Sequence, residues 1–164
     1  MAISAVYFND KIMRKEFITN SPEETIAFAE SLGKLLHAGD VIAYRGDLGA
    51  GKTTFTRGLA LGLGLQDLVT SPTFALVHVY GNPPLQLCHF DMYRIDSEEE
   101  LETTGFYDFL PKESIFAIEW SENIENALPK HTIWLTLEIL EQEQRRIILE
   151  LDAKGSERFA NFRA

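Results

Sequence analysis

The stretch GDLGAGKTTF, residues 46–55, decides how this chain folds. It fits G-x-x-x-x-G-K-[ST] at every constrained position: Gly46, Gly51, Lys52 and Thr53 are the fixed points, with a further glycine at Gly49. Successive backbone N–H groups in such a loop form an anion-binding nest, and the helix that follows turns its positive end toward the same anion. Glycine permits the tight turn and the close approach of backbone to phosphate. In this pattern Lys52 reaches the β and γ phosphates of a nucleotide, and the Thr53 hydroxyl ligates Mg²⁺.

Such a loop needs a strand before it and a helix after it. VIAYR (41–45) is a mostly apolar run of strand length, and KTTFTRGLALGLG (52–64) reads as a helix frayed by Gly62 and Gly64. Upstream, SPEE (21–24) is a helix start: Ser21 caps, Pro22 suits the first helical position, and Glu24 completes a capping box. Ile26, Ala29, Leu32, Gly33 and Leu36 recur at helical spacing, and HAGD ends that helix near Gly39. Residues 1–17 carry no firm pattern.

Downstream, FALVHVY (74–80) and LQLCHF (85–90) read as strands flanking the turn GNPP. SEEE (97–100) opens a short helix that stops at Gly105, and SIFAIEW (114–120) has the apolar run of a strand covered on both faces. In the tail, Ile133, Leu135, Leu137 and Ile139 alternate with polar or amphipathic residues, and RRIILEL resumes that period after EQEQ. This predicts an antiparallel hairpin with one wet face. GSERFANF (155–162) suits a last helical turn. Segments between elements read as only a few residues long, which leaves no room for a lid. The expected fold is α/β: one domain over residues 1–164, a P-loop NTPase-like mixed sheet with flanking helices and a C-terminal antiparallel hairpin. Its ligand is expected at the carboxyl ends of the inner strands.

The formal charge of −10, from 25 acidic and 15 basic side chains, opposes direct binding of nucleic acid, which relies on Lys and Arg. The single cysteine, Cys88, excludes an internal disulfide and a Cys-based zinc site, and its apolar surroundings suit a buried inert thiol. MAISAVYFNDKIM meets Asp10 and Lys11 before any long apolar stretch, unlike a secretory signal, and no run approaches the length of a membrane span. The chain reads as cytoplasmic.

A phosphate loop also needs a carboxylate at the end of a neighbouring strand to hold the magnesium shell or orient water. Asp91 follows LCHF and Glu119 follows IFAI; the residues alone do not separate their roles. The guanine-reading N-K-x-D motif does not occur, and DAKG (152–155) mimics a D-x-x-G switch only past the last strand, so GTP is disfavoured. TSPTF (70–74) reads either as a switch segment, with Thr70, Ser71 or Thr73 answering the γ-phosphate, or as a proline turn before a strand. Arg57, Arg94, Arg145 and Arg146 are candidate transition-state cations, with surface ion pairs as the default for each.

Taken together, GDLGAGKTTFTRGLALGLG, VTSPTFALVHVY, HFDMYR with EEELETTGFYDF, and AIEW resemble the TsaE (YjeE) family in order and spacing, over roughly residues 20–122. Its members are small bacterial ATPases of tRNA threonylcarbamoyladenosine biosynthesis. The resemblance implies ATP/ADP and Mg²⁺ as ligands, and action with the TsaD–TsaB transferase pair on the adenosine beside the anticodon of ANN-decoding tRNAs, with tRNA met only through the partners. It carries over Gly49, Ala50, Gly51, Lys52, Thr53 and Thr54 as ATP-binding. Thr53 and Glu119 become the magnesium ligands, and Asp91 the acid poised over the γ-phosphate. Ser21, before the first helix, and Glu122, past the E-W pair, are counted with the nucleotide contacts, and Trp120 is functionally required. Ser121 stands where a proline is common in the family. Two other readings remain: a small-molecule kinase, and a nucleotide-regulated binding module with negligible turnover.

Overall fold

The computed structural model describes residues 2–9, 12–109, 113–152 and 156–162, with side chains over 12–109, 113–152 and 157–162. In chain order the elements are β1 (Ala2–Asn9), β2 (Ile12–Thr19), α1 (Pro22–Gly33), β3 (Val41–Arg45), α2 (Lys52–Gly62), β4 (Val77–Asn82), β5 (Leu85–Asp91), α3 (Glu98–Thr103), β6 (Ser114–Glu119), β7 (Ile133–Ile139) and β8 (Arg145–Asp152). Short 3-10 turns occupy Phe106–Asp108, Ser121–Ala127 and Ser156–Phe159. Among the described residues, eight strands form one sheet in the order β1-β2-β8-β7-β3-β6-β5-β4.

The centre of that sheet is parallel. β3 pairs in parallel with both β6 and β7, and β5 pairs in parallel with β6. Antiparallel pairs extend it on both sides: β4 on β5, and β8, β2 and β1 beyond β7. Parallel strands point their carboxyl ends the same way, so β3, β5 and β6 deliver Arg45, Asp91 and Glu119 to one edge, where the loop into α2 also lies.

Alternation along the strands divides the core in two. Ile42, Tyr44, Leu87, Ile115 and Ala117 face α1 and α2, where Phe17, Phe28 and Phe55 pack ring against ring. Val41, Cys88, Phe90, Phe116 and Ile118 face the other way, onto Leu101 and Phe106. Odd-numbered His89, Asp91 and Glu119 therefore share the α2 face. All six residues of β6 are buried, as expected for a strand covered on both sides.

The two helices touch backbone to backbone. A Cβ on Gly58 would stand 2.4 Å from the Ile26 carbonyl oxygen, and one on Gly62 2.2 Å from that of Glu30. α2 does end at Gly62, with Gly64 beyond it, and Gly58 and Gly62 let it lie directly on α1.

Several boundaries differ from the sequence reading. Ser21 does cap α1, its Oγ accepting from Glu24 N at 3.2 Å, but the Glu24 carboxylate returns to Asn20 N at 2.9 Å, one residue before the cap. The helix stops at Gly33 and does not run on toward Gly39, which sits in a turn with φ 95°. β4 starts at Val77, not Phe74: Leu76 has φ 67°, which breaks a strand, and Phe74 is 93% exposed. Residues 63–76 are thus an irregular segment beside the carboxyl edge, and the expectation that no segment is long enough for a lid is corrected.

The N-terminal hairpin is the largest addition. β2 buries Met13, Lys15, Phe17 and Thr19 in strict alternation, but a lysine in the inward row hides the pattern. The Lys15 ammonium donates to the carbonyls of Phe159 (2.7 Å), Ala160 (2.7 Å) and Phe162 (3.2 Å), fastening the last turn of the chain to the sheet. Of the DAKG mimic, residues 153–155 lie outside the described residues. Among the described residues no helix is long and apolar enough to cross a membrane.

Candidate functional site

The loop between β3 and α2 is built by its glycines. Gly46 has φ 144°, and a Cβ there would meet the Leu137 carbonyl oxygen at 2.5 Å; Gly51, the N-cap of α2, has φ 106°. Both conformations disfavour any side chain. With Gly51 left-handed, α2 begins abruptly at Lys52 and its first N–H groups face the loop. A hydroxyl chain steadies that first turn from below. Thr56 Oγ1 donates to Lys52 O (3.0 Å), so the fully buried Tyr44 hydroxyl donates to Thr56 Oγ1 (2.8 Å). Burial pushes the Tyr44 phenol well above its ordinary range, which keeps it a neutral donor.

Lys52 is only 6% exposed. Its ammonium donates to Gly46 O (2.7 Å) and Asp47 O (3.0 Å) and stands 5.0 Å from the centroid of the Trp120 ring. A buried cation needs partners, and here they are two carbonyls and an aromatic face, with no carboxylate bonded to it among the described residues. Trp120 is placed by an unusual backbone, φ 56°, at the end of β6, and its ring packs 5.0 Å from that of Tyr93. Ser121 Oγ then donates to Tyr44 O at 2.8 Å, a bond that proline in its place could not make.

Two acids complete the edge. Asp91 and Glu119 are register partners across the β5–β6 pair, exposed 5% and 6%. Glu119 Oε1 accepts from Thr53 Oγ1 (3.2 Å) and contacts His89 Nε2 (2.9 Å). Asp91 Oδ1 accepts from Tyr93 N (2.9 Å). The two acids, alike in spacing, differ in their contacts: Glu119 touches Thr53, and Asp91 does not.

These groups line a cavity of about 730 Å³, bounded by the loop from Leu48 to Thr54, by Asp91, Tyr93, Glu119 and Trp120, and by Ser71 and Thr73 from the irregular segment. Gly49, Gly51, Lys52, Thr53 and Thr54 are therefore together with both acids. Ala50 is not in the lining; its side chain is core and its carbonyl accepts from Arg145. Ser21 and Glu122 also lie off this cavity. Ser21 is engaged as the α1 cap, and Glu122 is exposed in a groove beside Asp96 and Asn123. Thr70 is tied to the Tyr80 hydroxyl, so of the TSPTF hydroxyls Ser71 and Thr73 are the ones on the cavity.

None of the candidate arginines lines it. Arg57 donates to Val69 O, Arg146 pairs with Glu138, and Arg94 is exposed. Arg145 does neither of the expected things. Its guanidinium reaches from β8 to Ala50 O (2.9 Å) and Gly49 O (3.3 Å), and its other bonds go to carbonyls of the β7–β8 turn, such as Gln144 O at 3.0 Å. It clamps the glycine loop from outside. Nothing in the sequence marks it out, because the contact joins residues some 95 apart. His89 was not singled out, though a signal for it existed: it lies two residues before Asp91 on a strand and so shares its face.

Comparison with known proteins identifies the family. A family model described as threonylcarbamoyl adenosine biosynthesis protein TsaE matches residues 19–148. The tRNA threonylcarbamoyladenosine biosynthesis protein TsaE of Treponema pallidum is 38% identical over 130 residues, covering 79% of this chain and 96% of its own. Its counterpart in Bacillus subtilis is 39% identical over 79% of this chain and 80% of its own, and that of Haemophilus influenzae 45% identical over 68% and 71%. The crystal structure of Bacillus subtilis YdiB superposes with a TM-score of 0.69 at 31% identity, covering 87% of this chain and 88% of that one. A match this long, spanning the glycine loop, both strand-end acids and Trp120, means that the chain belongs to the TsaE family.

Proposed function

We propose that this protein is a Mg²⁺-dependent ATP hydrolase of the cytoplasm that serves formation of threonylcarbamoyladenosine in tRNA together with the TsaD–TsaB pair. The observation that carries the reading is the buried Lys52 ammonium at the start of α2, facing two buried strand-end acids across one cavity. The loop N–H groups bind phosphate oxygens, and Lys52 exchanges its two carbonyl partners for the β and γ phosphates.

The donor set suits magnesium: a hydroxyl and a carboxylate oxygen already in contact, both hard ligands. Among the described residues no group of three His, Cys, Asp or Glu could hold a metal, so the ion would arrive with the nucleotide, held by Thr53 and Glu119. When bound, it neutralises charge that develops on the phosphates. Asp91 remains free of Thr53 to orient the attacking water and take its proton.

Among the described residues lining the cavity, Lys52 is the cation. An arginine supplied over the γ-phosphate is worth about 10³ to 10⁵ in rate, so turnover by the lone chain is weak and rises when the partners close over the site. The −10 charge assigns the grip on tRNA to those partners. The test is steady-state phosphate release from ATP with and without TsaD–TsaB, beside titration of labelled tRNA with the isolated chain. Partner-dependent release with negligible tRNA binding is expected. Fast release by the lone chain, phosphate transfer to a small acceptor, or tight salt-sensitive tRNA binding would overturn the proposal.

A further inference from the structure

His89 is wholly buried, and the mechanism above gives it no part. Its Nε2 lies 2.9 Å from Glu119 Oε1, the oxygen that also accepts from Thr53 Oγ1 at 3.2 Å. Among the described residues its Nδ1 has no hydrogen-bond partner. An ionised carboxylate only accepts, so the proton belongs on Nε2. A proton on Nδ1 would be an orphaned buried donor, so the arrangement that donates from Nε2 is the one this environment accommodates.

The geometry points to His89 as a positioning residue for Glu119. Its Nε2–H and the Thr53 hydroxyl converge on a single carboxylate oxygen, which fixes the rotation of the carboxyl group. The histidine approaches from β5 and the threonine from α2, so the carboxylate is held between strand and helix. This inference rests on the proposed Mg²⁺-dependent nucleotide binding and deepens it: Glu119 meets the metal–nucleotide in the orientation that His89 sets. Loss of a partner of a metal-ligating group typically lowers metal affinity about 10- to 100-fold.

Glutamine and asparagine separate positioning from packing. The amide nitrogen of glutamine falls near the imidazole Nε2, whereas that of asparagine falls near Nδ1 and stops short of Glu119. The probe is ADP binding by calorimetry, titrated with Mg²⁺ and repeated in EDTA. In His89→Asn we expect the Mg²⁺ half-saturation to rise about tenfold or more, with metal-free ADP affinity and melting temperature close to wild type. His89→Gln should stay within about threefold of wild type. Equal Mg²⁺ dependence in both variants, or parallel loss of metal-free affinity and melting temperature in both, would overturn the assignment. If the asparagine variant does not fold, imidazole ¹⁵N shifts of the wild type decide, with the His89→Gln spectrum identifying the signal: an Nδ1–H tautomer rejects the inference. A wild type whose ADP binding ignores Mg²⁺ rejects the metal–nucleotide reading itself, an outcome distinct from the other two.

Discussion

Replacing Gly58 with alanine tests the helix contact that seats the glycine loop. In an open helix interior the change would stabilise by about 0.5–1 kcal/mol, because glycine loses more backbone freedom on folding. Here the new methyl carbon would stand 2.4 Å from Ile26 O, 2.5 Å from Ala29 Cβ and 3.1 Å from Glu30 N. None of these atoms belongs to a flexible side chain, so α1 and α2 must separate by about 1 Å to restore ordinary contact. Overpacking of this kind costs about 1–3 kcal/mol, and rigid neighbours on three sides put this site at the upper end. After the helix gain is subtracted, a net loss of about 2 kcal/mol remains, which for a domain of this size lowers Tm by roughly 4–8 °C. Urea denaturation should show a lower midpoint with an unchanged m-value. Gly64→Ala is the control. Its φ is 75° but no atom lies within 4 Å, so only backbone strain of about 1 kcal/mol applies. If Gly58→Ala proves as stable as wild type, the close backbone approach of the two helices is wrong.

Lys52→Ala should fold and lose ATP affinity about 10- to 100-fold, the worth of one charge-assisted contact of roughly 1.5–3 kcal/mol; unchanged affinity by calorimetry would remove the phosphate-loop assignment. Asp91→Asn keeps the acceptor for Tyr93 N, so it should bind Mg-ATP normally while partner-stimulated phosphate release falls about 10²- to 10⁴-fold. Lys15→Met leaves buried carbonyls of the last turn without their donor and should cost about 2–4 kcal/mol in urea denaturation, with ADP affinity retained. Cys88 is fully buried, and burial pushes its thiol up to about 11; it should react with a thiol reagent at neutral pH only at the rate of unfolding.

Local features of this fold were legible because they rest on local chemistry. VIAYR is a strand by its apolar run and RRIILEL by its period, and Ser21 caps by its side chain and by the proline that follows. The strand-end acids were visible because each ends an apolar run. What sequence could not show is set by partners far along the chain. Lys15 hides the inward row of β2, since its ammonium bonds to the carbonyls of Phe159, Ala160 and Phe162, far along the chain. Phe74 and Ala75 look like strand, but Leu76 turns left-handed and delivers Asp91 N to its own carbonyl at 2.9 Å. Gly62 reads as fraying α2, and Gly58 carries no signal at all, until α1 is laid against them.

The pairing of β2 with β8 sets Ile12 against Asp152 and Thr19 against Arg145. A ribosome therefore releases the N-terminal hairpin long before its neighbour in the sheet exists. β3 is in the same position, since both of its parallel partners, β6 and β7, are made after it. Until the last strand emerges, Phe17 has no finished sheet to enter, and the glycine loop lacks the Arg145 clamp that holds it from outside. Pairings this distant are slow to close and leave strand edges exposed meanwhile. The nascent chain thus carries unpaired strand edges through most of its synthesis, and it gains a finished phosphate loop only when β8 docks.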